Sequence, residues 1–489
     1  MTSRRNFLKS SFLATGFLTA GNVWAVPTEE PSKYDGVYDA IIVGAGGAGL
    51  AAAAHAAEAG KKVLVLEKMP FPGGSTILSG GGWSIAGTKW QKKEGIEDTE
   101  ALYFDDMMKQ GRNANDPELV KTMVEAATKE YEWLTKNSDL EPTKVAMVAG
   151  MSVPRCHFFP ISKLVGFYFN FAKRHGAEFL MDTAAERLLW DYRSKRIIGV
   201  KTKNKAGNIK YYKARAGVLL SSGGFTRNKS ILAKYCPGAE NSFPICGAGN
   251  TGDGLLMAQA YGADVLDMTN ITPAFGLVVG GKSVNDKTTV FFRGGIVVNN
   301  QGVRFISENS TYGAIGKAAI QQDKGQAFII FDEKIREMDL YADPREPRLV
   351  GEKGKPTFGV SADTIEELAK KIGVNPAKLK ETVENYNALA PKGLDPLGRK
   401  GLMGSKGTPV PIFEPPFVAI PATTSMMATY CGLRVNSRMQ VIDVFGNPIP
   451  ALAACGEICG GFHGKFSMGG TGVGKAISLG GQAVMNLFE

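Results

Sequence analysis

The residues best suited to chemistry in this chain are a run of glycines and one acid. Gly44-Ala45-Gly46-Gly47-Ala48-Gly49 has G-x-G-x-x-G spacing, and Glu67 closes the apolar run Lys62-Val63-Leu64-Val65-Leu66 beyond it. Glycines at Gly44, Gly46 and Gly49 let backbone approach a pyrophosphate. A helix N-terminus adds partial positive charge there, and an acid at Glu67 can accept from ribose hydroxyls. That chemistry is dinucleotide binding. Further glycine-bearing stretches follow at Gly73-Gly74-Ser75-Thr76 and Gly80-Gly81-Gly82-Trp83. A nicotinamide dinucleotide needs no such extension. FAD is longer and needs added donors for its phosphates, ribityl chain and ring system. FAD is the expected cofactor.

These residues need particular elements to hold them. Val37–Val43 is a short apolar strand, an alanine-rich helix runs from Leu50 to about Ala59 with Gly60 as its stop, and Lys62–Glu67 is a second strand. Together they form a βαβ unit with the glycine turn between strand and helix. Farther along, Ala362–Leu368 and Pro376–Tyr386 have helical patterns, with Asp363 and Asn375 as expected N-caps.

The length of 489 residues suits two or three domains. Hydrophobic residues make up 44% and charged residues 21%, as in a soluble globular chain. The formal charge is +10, but no lysine or arginine run forms a nucleic-acid patch, so no nucleic-acid partner is expected. The six cysteines make no C-x-x-C-H, so no covalent c-type haem is expected in this chain. Cys455 and Cys459 lack metal-ligand spacing, and with four histidines in all no metal site is expected.

At the start, Ser3-Arg4-Arg5-Asn6-Phe7-Leu8-Lys9 precedes an apolar stretch from Ser11 to Ala20 and a Val23-Trp24-Ala25 cleavage pattern. This is a twin-arginine signal over residues 1–25, which exports proteins already folded around a cofactor. The expected location is the periplasm. The mature chain has no other apolar run of about 18 residues and hence no expected transmembrane segment.

Four more blocks make a family resemblance specific. They are Val218-Leu219-Leu220-Ser221-Ser222-Gly223-Gly224-Phe225; Gly249-Asn250-Thr251-Gly252-Asp253-Gly254; Gly302-Val303-Arg304-Phe305-Ile306-Ser307-Glu308; and Ala453-Ala454-Cys455-Gly456-Glu457-Ile458-Cys459-Gly460-Gly461-Phe462-His463-Gly464. With the glycine fingerprint, they resemble the flavoprotein family of soluble fumarate reductases of the flavocytochrome c type, urocanate reductases and 3-ketosteroid dehydrogenases. The resemblance covers nearly the whole mature chain. It implies an α/β fold: a Rossmann-like FAD-binding domain in two sequence pieces, 36–266 and 429–489, with an inserted α+β capping domain at 267–428. It also implies FAD contacts from Ala48, Glu67, Ser75, Thr76, Gly81 and Gly82, from Ala185 by its backbone, and from Asp253, Glu457 and the Gly472-Val473 turn.

The resemblance breaks where a fumarate enzyme needs cations to clamp two carboxylates and to deliver a proton. Tyr312 stands where that family has its proton-donating arginine. Met427-Ala428 replace its paired histidines, and Ser467 replaces a carboxylate-binding arginine. Each lost charge-assisted hydrogen bond is worth about 1.5–3 kcal/mol, so a dicarboxylate is a poor substrate. Met426, Met427, Phe466 and Met468 make the expected pocket apolar. The ketosteroid branch carries a tyrosine at the place of Tyr312 that acts as acid/base, which implies the same role here. Its other tyrosine is Met468 in this chain, and Tyr430 could fill the vacant place or bond the ring edge.

The expected activity is FAD-dependent reduction of an activated C=C bond, such as an enone or aryl-acrylate. Hydride comes from flavin N5, the proton from Tyr312, and the electrons from a separate c-type cytochrome or other exported carrier. Two alternatives stay open: a ketosteroid-type dehydrogenase that introduces a C=C bond, and an electron-transfer flavoprotein with no small-molecule substrate.

Overall fold

The computed structural model describes residues 31–489 except 149, 272, 282–283, 341–345 and 403–407, and except the side chains of 284 and 312. The twin-arginine segment lies outside the described residues.

Five parallel strands form the centre: β1 (Gly36–Val43), β2 (Val63–Leu66), β3 (Glu178–Leu180), β4 (Ile209–Leu220) and β5 (Pro448–Ala454). Their order is β5-β4-β1-β2-β3. A parallel sheet is covered on both faces, so its inner strands are apolar without alternation. β2, with sequence VLVL, is buried at every position. Helix α1 (Gly47–Glu58) crosses from β1 to β2, starting three residues earlier than its apolar pattern because the last glycines of the turn are already helical. Helix α2 (Thr471–Met485) returns from the far end of the chain and lies against α1. Contact is close because glycines face it: a Cβ on Gly480 would stand 2.4 Å from the Ala48 carbonyl oxygen. The domain that carries the glycine turn is thus completed by β5 and α2. An antiparallel pair, Thr183–Asp191 and Arg196–Asn204, extends from β4.

A second sheet is built around the strand Phe417–Met426. Gln326–Phe331, Ala274–Val278 and Val360–Ala362 all pair with it antiparallel. Its hydrophobic cluster runs from Phe275 to Ala422 and is separate from the cluster around the parallel sheet. The helix expected at 362–368 begins at Ile365, because Ala362 is held in a strand against Phe417. Its N-cap is accordingly Thr364 rather than Asp363, with Thr364 Oγ1 accepting from Glu367 N–H at 3.2 Å. Asn375 does cap the helix Pro376–Leu389.

Inside this second unit, the R-F-x-x-E stretch forms a buried ion network. Arg304 pairs with Glu308 and Asp395, both at 2.6 Å, and Arg399 approaches Glu308 at 3.3 Å. Glu308 also accepts from Val297 N–H at 2.9 Å. Buried charges persist only when paired and bonded in this way. The network fixes the segment that leads into the helix Tyr312–Ala319.

A buried histidine supports the glycine stretch at 80–82. His157 lies on the strand Cys156–Phe158, beside Gly82–Ser84. Its Nδ1 lies 2.8 Å from the Arg155 carbonyl oxygen, and its Nε2 2.8 Å from Thr88 Oγ1. Nδ1 donates to that carbonyl, and in the neutral ring Nε2 accepts from the Thr88 hydroxyl. Burial accordingly pushes His157 down to about 4. The folded value lies below the unfolded one, so this stabilisation is complete above the unfolded value of 6.5 and is lost as pH falls from there to about 4. It amounts to roughly 3 kcal/mol. Urea midpoints at neutral and mildly acid pH should show a smaller acid loss in His157→Gln than in the unaltered chain. Equal losses would rule His157 out as the titrating group.

Candidate active site

A cleft of about 340 Å³ opens at the carboxyl ends of β1, β2 and β4. Ligands of open α/β sheets bind in this place. Gly44 is the hinge of its floor. It has φ +104°, and a Cβ there would meet the Ser221 carbonyl oxygen at 2.6 Å. Gly49 sits one turn into α1, where a Cβ would fall 1.9 Å from the Gly44 carbonyl oxygen. The position of Gly46 is different: a Cβ there would meet nothing within 4 Å, so its backbone is open to the cleft. The N-terminus of α1 has no side-chain cap and no acid in its first turn. It presents N–H groups and positive dipole to an anion.

Glu67 lies just past β2 and is buried. It accepts from Ala45 N–H at 2.8 Å and from Met69 N–H at 2.9 Å. One carboxylate therefore ties the glycine turn to the next loop and keeps lone pairs for a ribose. Thr76 Oγ1 accepts from Gly47 N–H at 3.1 Å, and Ser75 Oγ accepts from Gly247 N–H at the same distance.

The cleft brings together Gly44, Gly46, Ala48, Glu67, Ser75 and Thr76, and adds Ala185, Asp253 and Glu457 from distant parts of the chain. Five other predicted contacts do not line it. Gly49 serves the packing of helix on turn. Gly81 and Gly82 give their space to neighbours of the same chain, Phe159 O and Cys156 Sγ. Gly472 and Val473 form the first turn of α2, near Tyr430.

Sequence reasoning singled out none of Lys68, Asn250 or Ser222, though two of them lie inside quoted motifs. Asn250 donates to Glu457 Oε2 at 2.8 Å, and its Oδ1 accepts from Thr226 N–H at 2.8 Å. Ser222 Oγ is buried on the cleft wall without a protein partner. An orphaned donor there, an uncapped helix start and an open backbone at Gly46 are what a phosphate-bearing ligand would use. The residues fit FAD.

Lys68 Nζ bridges the walls, pairing with Asp253 at 2.6 Å and also donating to Thr251. The pair is partly exposed, so it is worth about 0.2–1 kcal/mol. Lys68→Ala should release FAD about two- to fivefold faster, and added salt should narrow that gap. Release of flavin fluorescence on dilution measures it. An unchanged rate would mean that the bridge does not retain the cofactor.

Tyr430 has φ +55° and its ring meets His463 edge-on at 5.0 Å. Burial raises the phenol above its ordinary value, so Tyr430 is a neutral donor rather than a base. His463 is buried and pushed down by burial and by Lys475. Glu457 accepts from Thr429 N–H at 3.1 Å, and burial pushes it up. Tyr312 opens the helix Tyr312–Ala319, whose N-cap Thr311 accepts from Ala314 N–H. The Tyr312 side chain lies outside the described residues.

Fold and cleft together define a flavoprotein with a two-piece dinucleotide domain and a second sheet unit. The chain belongs to the FAD binding domain family, which matches residues 39–473, and FAD is its cofactor. It is 32% identical over 456 residues to NADH:fumarate oxidoreductase of Klebsiella pneumoniae (strain 342), covering 91% of this chain. It spans about half of that relative, 47% of its length. It is 32% identical over 479 residues to urocanate reductase of Eggerthella lenta, covering 94% of this chain and 76% of that one. Among solved structures it is similar to an open flavocytochrome c3 fumarate reductase, with TM-score 0.77, 26% identity and coverage of 100% and 82%. It is also similar to 3-ketosteroid-Δ4-(5α)-dehydrogenase of Rhodococcus jostii RHA1, with TM-score 0.74, 26% identity and coverage of 95% and 99%.

Proposed function

We propose that this chain is an exported, FAD-dependent reductase of an activated C=C bond of the enone or aryl-acrylate type, and not of fumarate. The observation that carries this reading is the neutral wall around Tyr430. The Tyr430 ring meets His463 edge-on at 5.0 Å, the phenol keeps its proton, His463 is pushed toward its neutral form, and Ser467 stands at the position where the resemblance gives an arginine. A neutral donor wall suits a carbonyl or a single polar group.

Bound FAD, once reduced, supplies the hydride. The chain's own residues do the rest. Tyr430 holds its proton toward the substrate's polar end. Tyr312, at the start of its helix, gives a proton to the α-carbon. The second sheet unit closes over the cleft and excludes water. In this reading residues 267–428 are the cap, and residues 1–25 direct export to the periplasm, where a separate cytochrome or other carrier delivers electrons. Among the described residues no helix is long and apolar enough to cross a membrane.

The test is anaerobic oxidation of reduced viologen by the purified chain against fumarate, urocanate, cinnamates, acrylates, enones and 3-ketosteroids. Turnover of an enone or aryl-acrylate but not fumarate is expected. Rapid fumarate turnover would overturn the substrate reading. The likeness to the Rhodococcus enzyme favours a second reading, the dehydrogenase direction. It predicts dye reduction by a saturated 3-ketosteroid.

A further inference from the structure

One carboxylate on the cleft wall holds two stretches of chain that arrive there from the second sheet. Phe243–Pro244 pairs in parallel with Ser425–Met426, at the end of that sheet's central strand. Ile245 N–H continues the pairing and donates to the Met426 carbonyl oxygen at 2.9 Å. Beyond this point both stretches run to Glu457. Asn250 of the first donates from Nδ2 to Glu457 Oε2 at 2.8 Å, and Thr429 N–H of the second donates to Oε1 at 3.1 Å. Glu457 belongs to neither stretch. It follows β5 of the parallel sheet, and it lines the cofactor cleft together with Asn250.

The two stretches differ in what else holds them. Asn250 is fixed from its other end, where Oδ1 accepts from Thr226 N–H at 2.8 Å and from Thr226 Oγ1 at 3.0 Å. Gly247 N–H adds a bond to Ser75 Oγ at 3.1 Å. Residues 427–431 belong to no helix or strand, and Met427 is 47% exposed. A stretch of this kind opens locally unless side chains hold it. Residues 427–430 do not line the cleft themselves, and their bond to a cleft residue is the one from Thr429 to Glu457. The junction is closely fitted: a Cβ on Gly224 would stand 2.4 Å from Glu457 Oε1. Each Glu457 oxygen has two acceptor sites, so both keep one for a ligand in the cleft.

We propose that Glu457 is a positioning residue that transmits occupancy of the cleft to the second sheet. FAD filling the cleft restrains the Glu457 carboxylate, and the restrained carboxylate orders residues 427–430, through which the central strand of the second sheet returns to the parallel sheet. An empty cleft leaves that return loosely held. The coupling needs no change of average structure, only the loss of motion at a shared side chain. It rests on FAD in the cleft and on neither the substrate nor the direction of the reaction.

The experiment is amide hydrogen exchange, read by mass spectrometry, on the full chain with FAD bound and after FAD is stripped. FAD should slow exchange at 427–430 by about fivefold or more, the effect of one strengthened hydrogen bond. Glu457→Ala removes both acceptors. In that variant FAD should still slow exchange in the glycine turn at 45–50 and should no longer slow it at 427–430. A purely structural role predicts something else: faster exchange at 427–430 in Glu457→Ala, with the same ratio between FAD-bound and FAD-free chains as in the unaltered protein. That result overturns the proposal. Should Glu457→Ala not hold FAD, the unaltered chain decides, and equal exchange at 427–430 with and without FAD overturns the proposal. Failure of the unaltered chain to carry FAD at all would instead strike the cofactor assignment, so the two failures are distinct.

Discussion

Tyr312→Phe should lower turnover by about 10²–10⁴-fold, the usual contribution of a positioned proton donor, and leave FAD bound. Tyr430 packs edge-on against His463 and burial raises its phenol, which favours polarising a substrate over cycling a proton. His463 is buried and pushed down by burial, and Glu457 is already engaged by Thr429 N–H and Asn250. Tyr312 begins a helix that follows the Arg304–Glu308–Asp395 network in sequence, and the variant removes only its hydroxyl. Stopped-flow oxidation of the reduced protein by the best acceptor in the panel measures the step. Unimpaired oxidation in Tyr312→Phe would move the proton donor elsewhere, and Tyr430→Phe would be next. A fall in Tyr430→Phe seen mainly in KM would fit its role as a binding donor.

Gly49→Ala should yield a chain that does not retain FAD and unfolds at lower denaturant. A single methyl would fall 1.9 Å from the Gly44 carbonyl oxygen, which is backbone and cannot rotate away. Either α1 slides off the turn or the turn opens. The first uncovers the contact with α2 at Gly480, and the second tilts the N–H groups that face the cleft. Backbone displacements of this kind typically cost about 1–3 kcal/mol. The flavin-to-protein absorbance ratio after gel filtration, with a urea melt, reports both. A variant with full flavin and an unchanged melt would mean that the helix start is looser than the contact implies.

Much of this was legible in the sequence because local rules agree there. The βαβ unit declared itself through strand, glycine turn, helix and acid in one short stretch, and Glu67 and Gly46 stand where that pattern puts them. The chain-distant wall was legible only through motif resemblance: nothing near Ala185 or Glu457 says by periodicity that it faces Gly44. At Gly81 and Gly82 the space of the missing Cβ atoms is taken by Phe159 and Cys156, which the glycine spacing alone does not reveal. Lys475 was invisible for the opposite reason. A lysine in a glycine-rich helix start resembles surface, yet Lys475 is buried, with Nζ donating to the Cys459 carbonyl oxygen at 2.8 Å and standing over the Phe462 ring. Thr364 displaced Asp363 as a cap because a strand pairing, not a local preference, decided where that helix begins.

β5 and α2 have a consequence for the order of synthesis. β5 pairs with β4 and α2 packs against α1, and both β4 and α1 leave the ribosome long before them. Until then the nascent chain carries a complete glycine turn with one flank of its sheet and one face of its first helix bare. It must survive translation in that half-built form without aggregating, and flavin capture becomes a late, post-translational event.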